Sequence, residues 1–108
     1  MTSVLFKKKD DKIIAFDING HAGYASEGED IVCAAISALS QSVIIGLEEV
    51  LYIKPDYNIK DGFLCMSIRD NSIEDIEKSQ VLLKTFLKSL QSISVSYVGY
   101  ITIQIEEV

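Results

Sequence analysis

The sequence predicts a single α+β domain over residues 1–108, ordered strand, strand, helix, strand, strand, helix, strand, with both helices packed on a mainly antiparallel sheet. Three patterns carry that reading. Ile14, Phe16 and Ile18 alternate with Ala15, Asp17 and Asn19, the period of two expected of a strand with one buried face. Ile76, Leu83, Phe86, Leu87 and Leu90 fall on one helical stripe, while Glu77, Lys78, Lys84 and Lys88 fall towards water. Gly99, Ile101, Ile103 and Ile105 alternate with Tyr100, Thr102, Gln104 and Glu106, which makes 98–107 a long closing strand.

The remaining elements follow in chain order. Residues 3–8 and 12–19 read as strands joined at Asp10-Asp11, a connection short enough for an antiparallel hairpin. A loop with glycines at 20, 23 and 28 leads to a first helix from Asp30 to Leu47, with Glu29 and Asp30 placing negative charge in its first turn. Apolar residues go nearly all round that helix, so it is covered on more than one side. From Val50 to Tyr57 the composition turns β-branched and aromatic, Asn58 to Gly62 supply a turn, and Phe63 to Arg69 return as a strand. Pro55 cannot donate to a ladder, which puts its strand at an edge or gives it a bulge. Ser72 caps the second helix, with Asp75 three residues on in the capping-box position.

Composition narrows the function. A net charge of −6 and a pI of about 4.6 argue against a direct grip on nucleic acid and favour a basic protein or peptide as partner. Mean hydropathy of +0.23 is high for so short a chain and leaves apolar surface for self-association. The N-terminus has too short an apolar core for a signal peptide. The longest apolar run, Ile31 to Leu51, is broken by Ser37, Ser40, Gln41, Ser42, Glu48 and Glu49, so neither a membrane span nor a membrane partner is expected. Two cysteines without an export signal point to reduced thiols in the cytoplasm. One histidine and two distant cysteines give no metal-ligand spacing, and no cofactor is implied.

The chemistry concentrates between residues 20 and 35, which hold the only histidine and one of the two cysteines. Cys33 falls in the first turn of the helix, where the free N–H groups favour a thiolate, and His21 stands on the approach to the same end. Taken singly, a buried structural cysteine and a structural loop histidine are the ordinary readings. Together they form the pair that nucleophilic thiol catalysis requires. Cys65 lies inside an apolar strand and reads as core, and a Cys33–Cys65 disulfide is disfavoured by compartment. A phosphate cradle fails on spacing and on the charge of Glu27, Glu29 and Asp30.

Gly20-His21-Ala22, followed after the loop by Gly28-x-Asp30-Ile31-Val32-Cys33-Ala34-Ala35-x-Ser37, resembles the signature of the ribosomal-processing cysteine protease (Prp) family. That resemblance implies a small homodimeric endopeptidase of the bacterial cytoplasm. Its members remove an N-terminal extension from large-subunit ribosomal protein number twenty-seven, cutting after an aromatic residue in a hydrophobic stretch. It makes Cys33 the nucleophile and His21 the general base, with Gly20, Asp30 and Ser37 at further signature positions. Asp30 either orients His21 or stabilises the helix start, Ser37 forms a groove wall, and backbone N–H groups at the helix start are the candidate oxyanion donors. Gly23, Tyr24 and Gly28 form a substrate loop expected to order over a bound peptide, with Tyr24 closing on an apolar side chain. The alternatives are a non-catalytic ribosome-associated binding module and a thiol redox protein, the latter lacking a resolving cysteine nearby.

Overall fold

A computed structural model describes residues 1–26 and 29–108. The described residues form strands β1 (Thr2–Lys9), β2 (Lys12–Asn19), β3 (Asp56–Lys60), β4 (Phe63–Ser67) and β5 (Ile101–Glu107) and helices α1 (Ile31–Ile45) and α2 (Ile73–Ser96). They follow one another in the predicted order. The strands make one sheet ordered β3-β4-β2-β1-β5. Three of its pairings are antiparallel, and the β1–β5 pairing is parallel. These directions make β2 parallel to β3 and β4 parallel to β5, so each connection needs a crossover, which α1 and α2 supply.

Both helices cover the same face. Val4, Phe6, Phe16, Ile18, Leu64 and Met66 from the sheet share one core with Val32, Ile36 and Ile44 of α1 and Leu83, Phe86 and Leu90 of α2. At its centre the rings of Phe6, Phe16 and Phe86 lie 4.9–6.0 Å apart between centroids. The other face carries polar groups such as the Lys7–Asp17 pair at 3.8 Å, and Cys65 lies half-buried there, its strand partners being Asp17 and Asn58.

The hairpin turn is Asp10-Asp11, and both residues take positive φ (51° and 64°), as a two-residue turn matched to strand twist requires. Beyond it, the β1–β2 register slips between Lys7 and Lys8, so Ile14 is an extra residue; Ile13 joins Phe16 and Ile18 in the main cluster, and Ile14, though also buried, lies outside it. A bulge resets the period of two that the sequence displays. It also turns the Ile13 backbone towards α2. There the Gln80 side chain accepts from Ile13 N–H (2.8 Å) and donates to Ile13 C=O (2.9 Å).

Several boundaries differ from the sequence reading. α1 continues into a π turn at Gly46–Val50, and the strand expected from Val50 begins only at Asp56. Burial of Leu47 and Ile53 in the core overrides the β-branched character of this stretch. β3 then runs on through Asn58 and Ile59, leaving Asp61-Gly62 as its two-residue turn. Pro55 precedes this strand, and β3 is indeed an edge. The helical stretch Ile31–Val50 is 20 residues long with mean hydropathy 1.8, enough by length and composition to cross a membrane despite its polar interruptions. Here Val32, Ile36, Val43, Ile44 and Leu47 place it in the core. Ser72 caps α2 as expected, its Oγ accepting from Asp75 N–H at 3.1 Å.

Replacing Gln80 by Ala leaves the part-buried Ile13 N–H and C=O without their side-chain partner. The expected cost is ~1–3 kcal/mol of unfolding free energy, read from the midpoint of a urea titration; an unchanged midpoint would show that water replaces the amide at no cost.

Candidate active site

Asp30 takes an extended backbone (φ −80°, ψ 99°) and caps α1 instead of lying in its first turn. Its Oδ1 accepts from Val32 N–H (3.0 Å) and Cys33 N–H (2.9 Å), and its Oδ2 accepts from Tyr24 N–H (3.0 Å). One carboxylate therefore holds both the helix start and the incoming loop. The N–H of Cys33 is the main cause of an Asp30 pKa below the usual carboxylate range; partial desolvation opposes it, and the Tyr24 N–H adds to it.

The cap fixes the third helical residue, Cys33, which is half-buried and not in a disulfide. Its Sγ accepts from Ala22 N–H at 3.0 Å. The residue before Ala22 is His21, so the thiol is bonded to the backbone beside the imidazole. The ring itself leans on the β3–β4 turn. A Cβ on Gly62 would stand 3.0 Å from His21 Nε2, and Gly62 has φ +70°, so only glycine gives the ring this seat without strain. Among the described residues the carboxylate contact of the ring is Asp61 Oδ1, 3.8 Å from Nε2. Gly20 ties the loop to the same turn by donating to Gly62 C=O at 2.8 Å. A Cβ on Gly20 would lie 2.7 Å from Met1 O, and its φ is +91°. Glycine is required there too.

These groups surround a groove of about 520 Å³ between α1 and the β3–β4 edge. Gly20, His21, Gly23, Asp30, Cys33 and Ser37 line it, with Ile18, Ile36, Ile59 and Leu64 supplying apolar floor and wall. Ile59 remains 49% exposed, because β3 is an edge strand that the helices do not cover. His21 and Cys33 share the groove without a direct hydrogen bond between them.

Two groups expected at the site make other contacts in the free protein. Tyr24 does not line the groove among the described residues; it packs edge-on against Tyr97 (5.5 Å) and Tyr100 (5.2 Å), at the link between α2 and β5. Its backbone N–H is held by the same Asp30 carboxylate that accepts from Cys33 N–H, while its ring turns to the aromatic partners Tyr97 and Tyr100. Of the backbone N–H groups at the helix start expected as oxyanion donors, those of Val32 and Cys33 are already committed to Asp30. Of the two roles open to Asp30, the contacts are those of a helix cap. Gly28 lies outside the described residues. Ser37, one turn after Cys33, accepts from Gln41 Nε2 at 2.8 Å in the groove wall. Asp61 and Gly62 also line the site without any local signal in the sequence, since an Asp-Gly pair reads as turn chemistry and nothing more.

By class the chain is a cysteine peptidase. The model of the family described as cysteine protease Prp matches residues 1–102. The ribosomal processing cysteine protease Prp of Staphylococcus aureus (strain Mu50) is 36% identical over 89 residues, covering 80% of each chain. The protein of the same description from Bacillus subtilis (strain 168) is 29% identical over 105 residues, covering 90% of each. The crystal structure of the S. aureus protease in complex with a covalently linked product peptide superposes with a TM-score of 0.83 at 29% identity, over 98% of this chain and 100% of that one. The chain belongs to the Prp family of cysteine proteases.

Because Asp30 has a lower pKa folded than unfolded, its contribution to stability is complete above the ordinary carboxylate value and is lost as pH falls through the lowered one. Asp30→Ala should therefore be less stable than wild type at pH 7. That gap should close on acidification below the usual carboxylate range, measured as denaturation midpoints against pH. A gap constant down to the lowest pH would show that the carboxylate charge is not what matters.

Proposed function

We propose that this protein is the endopeptidase that removes the N-terminal extension of large-subunit ribosomal protein number twenty-seven, using Cys33 as nucleophile and His21 as general base. The observation that carries the proposal is the convergence of the two side chains on one apolar groove from separate elements, the start of α1 and the end of β2. The relatives named for ribosomal processing agree with it, as does the net charge of −6, which suits a basic ribosomal precursor. The exposed Ile59 and the apolar floor suit a hydrophobic cleavage stretch.

The reaction follows from the atoms present. His21 takes the proton from Cys33 Sγ, and the thiolate attacks the scissile carbonyl carbon. Ala22 N–H, already directed at Sγ, is a donor beside the oxyanion as it forms. When the C–N bond breaks, the imidazolium gives its proton to the departing amine and a thioester remains. Water, relieved of a proton by His21, then attacks the thioester and releases the carboxylic acid and the thiol. With its Nε2 edge resting on the β3–β4 turn, the ring turns about that contact to bring Nδ1 to Sγ when peptide fills the groove. Apo contacts of catalytic groups are commonly long and tighten with substrate. The loop-ordering expectation remains part of this reading, although its segment includes Glu27 and Gly28, which lie outside the described residues. Action as a cytoplasmic homodimer completes the proposal, supported by exposed apolar residues at the end of α1, among them Ile45, Val50 and Tyr52.

Incubation with the host's extended ribosomal protein, followed by intact-mass measurement, tests the reading: a single cut at the extension is expected, and an intact precursor contradicts it. Cys33→Ala and Cys33→Ser should abolish the cut while Cys65→Ala leaves it near normal; the reverse pattern would reassign the nucleophile. His21→Ala should lower turnover by roughly 10²–10⁴-fold, and a loss of only a few-fold would make His21 structural.

A further inference from the structure

Thiol and imidazole pairs are commonly completed by a third group that orients the base, and the carboxylate suggested by the sequence, Asp30, is occupied elsewhere. Both of its oxygens accept backbone N–H groups, three in all, from Tyr24, Val32 and Cys33. We propose that Asp61, in the β3–β4 turn, is the positioning residue for His21. The inference rests on the reading of His21 as general base.

Four features of the turn support it. Asp61 and Gly62 line the same groove as Cys33. The His21 ring is seated against Gly62 with its Nε2 edge, and the Asp61 carboxylate lies 3.8 Å from that nitrogen. Contact at the Nε2 edge leaves Nδ1 as the nitrogen to receive the Cys33 proton. Finally, the bond from Gly20 N–H to Gly62 C=O fixes the turn to the residue that precedes the histidine, so ring and carboxylate are carried on one tied unit.

At 3.8 Å the contact is a charge pair and not yet a hydrogen bond. The side chains are 61% and 87% exposed, and such a pair contributes little to folding. Its value lies in the reaction. As His21 accepts the thiol proton, the imidazolium forms next to a carboxylate, and a peptide lying in the groove removes the water that weakens the attraction. The pair therefore strengthens in the transition state, where it lowers the barrier. Lys60, also at the groove, is the neighbouring cation that the carboxylate must outweigh.

The natural rival is that Asp61 serves only the turn, as Asp before Gly commonly does. Asp61→Asn separates the two, because asparagine keeps the turn chemistry and removes the charge. With a peptide spanning the cleavage site, Asp61→Asn should lower kcat about tenfold with KM within twofold, the size of effect expected for one modest charge contact. Asp61→Glu should restore most of the rate. In a double-mutant cycle, Asp61→Asn should have no further effect once His21→Ala is present, because the carboxylate acts through the imidazole. Wild-type kcat in Asp61→Asn, or an equal loss with and without His21, overturns the proposal. Should His21→Ala itself remain active, the general-base reading falls first and this inference falls with it; a dead His21→Ala beside a fully active Asp61→Asn sinks this inference alone.

Discussion

The site hangs on one carboxylate. Asp30 holds the first turn of α1 through Val32 and Cys33 and holds the loop through Tyr24, so the thiol and the segment carrying the imidazole are set relative to each other by three hydrogen bonds to a single group. The Ala22 N–H to Cys33 Sγ bond then closes a ring of contacts that returns to the residue beside His21. Charge-assisted bonds from N–H groups to an ionised acceptor are the strong kind. They also keep the carboxylate ionised, as its lowered pKa reflects.

The groove owes its existence to sheet order. β3 sits at the edge, where neither helix covers it, so Ile59 and the β3–β4 turn face α1 across open space. A closed sheet would have buried that apolar wall. Instead the chain presents an apolar floor with the thiol near its rim, and the one turn that seats the imidazole belongs to the same hairpin. The hairpin turn lies far in sequence from the loop and helix start; the backbone bond from Gly20 N–H to Gly62 C=O joins it to the loop, and the bond from Ala22 N–H to Cys33 Sγ joins the loop to the helix start. The aromatic contacts of Tyr24 with Tyr97 and Tyr100 extend this linkage to the far end of the chain, next to β5.

What could be read from the sequence was what local patterns encode. The element order and the stripe of α2 were legible, as were the cap at Ser72 and the hairpin at Asp10-Asp11, because each depends on neighbours within a turn or two. His21, Asp30 and Cys33 were legible for the same reason, all lying within one helix entry. The bulge at Ile14 was not, since the strand keeps its apolar alternation while its partner slips by a residue. Gln80 and Asp61 were hidden more deeply: each looks like an ordinary polar residue until the fold brings Ile13 to one and His21 to the other. The stretch from Val50 misled because β-branched side chains serve a buried corner as well as a strand, and Ile53 is used for the corner.

Amide hydrogen exchange in wild type and Asp30→Ala tests the central claim that one carboxylate organises the site. The amides of Tyr24, Val32 and Cys33 should be protected in wild type and should lose protection together in the variant, while those of β1 and β2 around Phe6 and Phe16 keep theirs. Loss at Val32 and Cys33 with Tyr24 unchanged would mean that the loop is held by its aromatic contacts and that Asp30 is a helix cap alone.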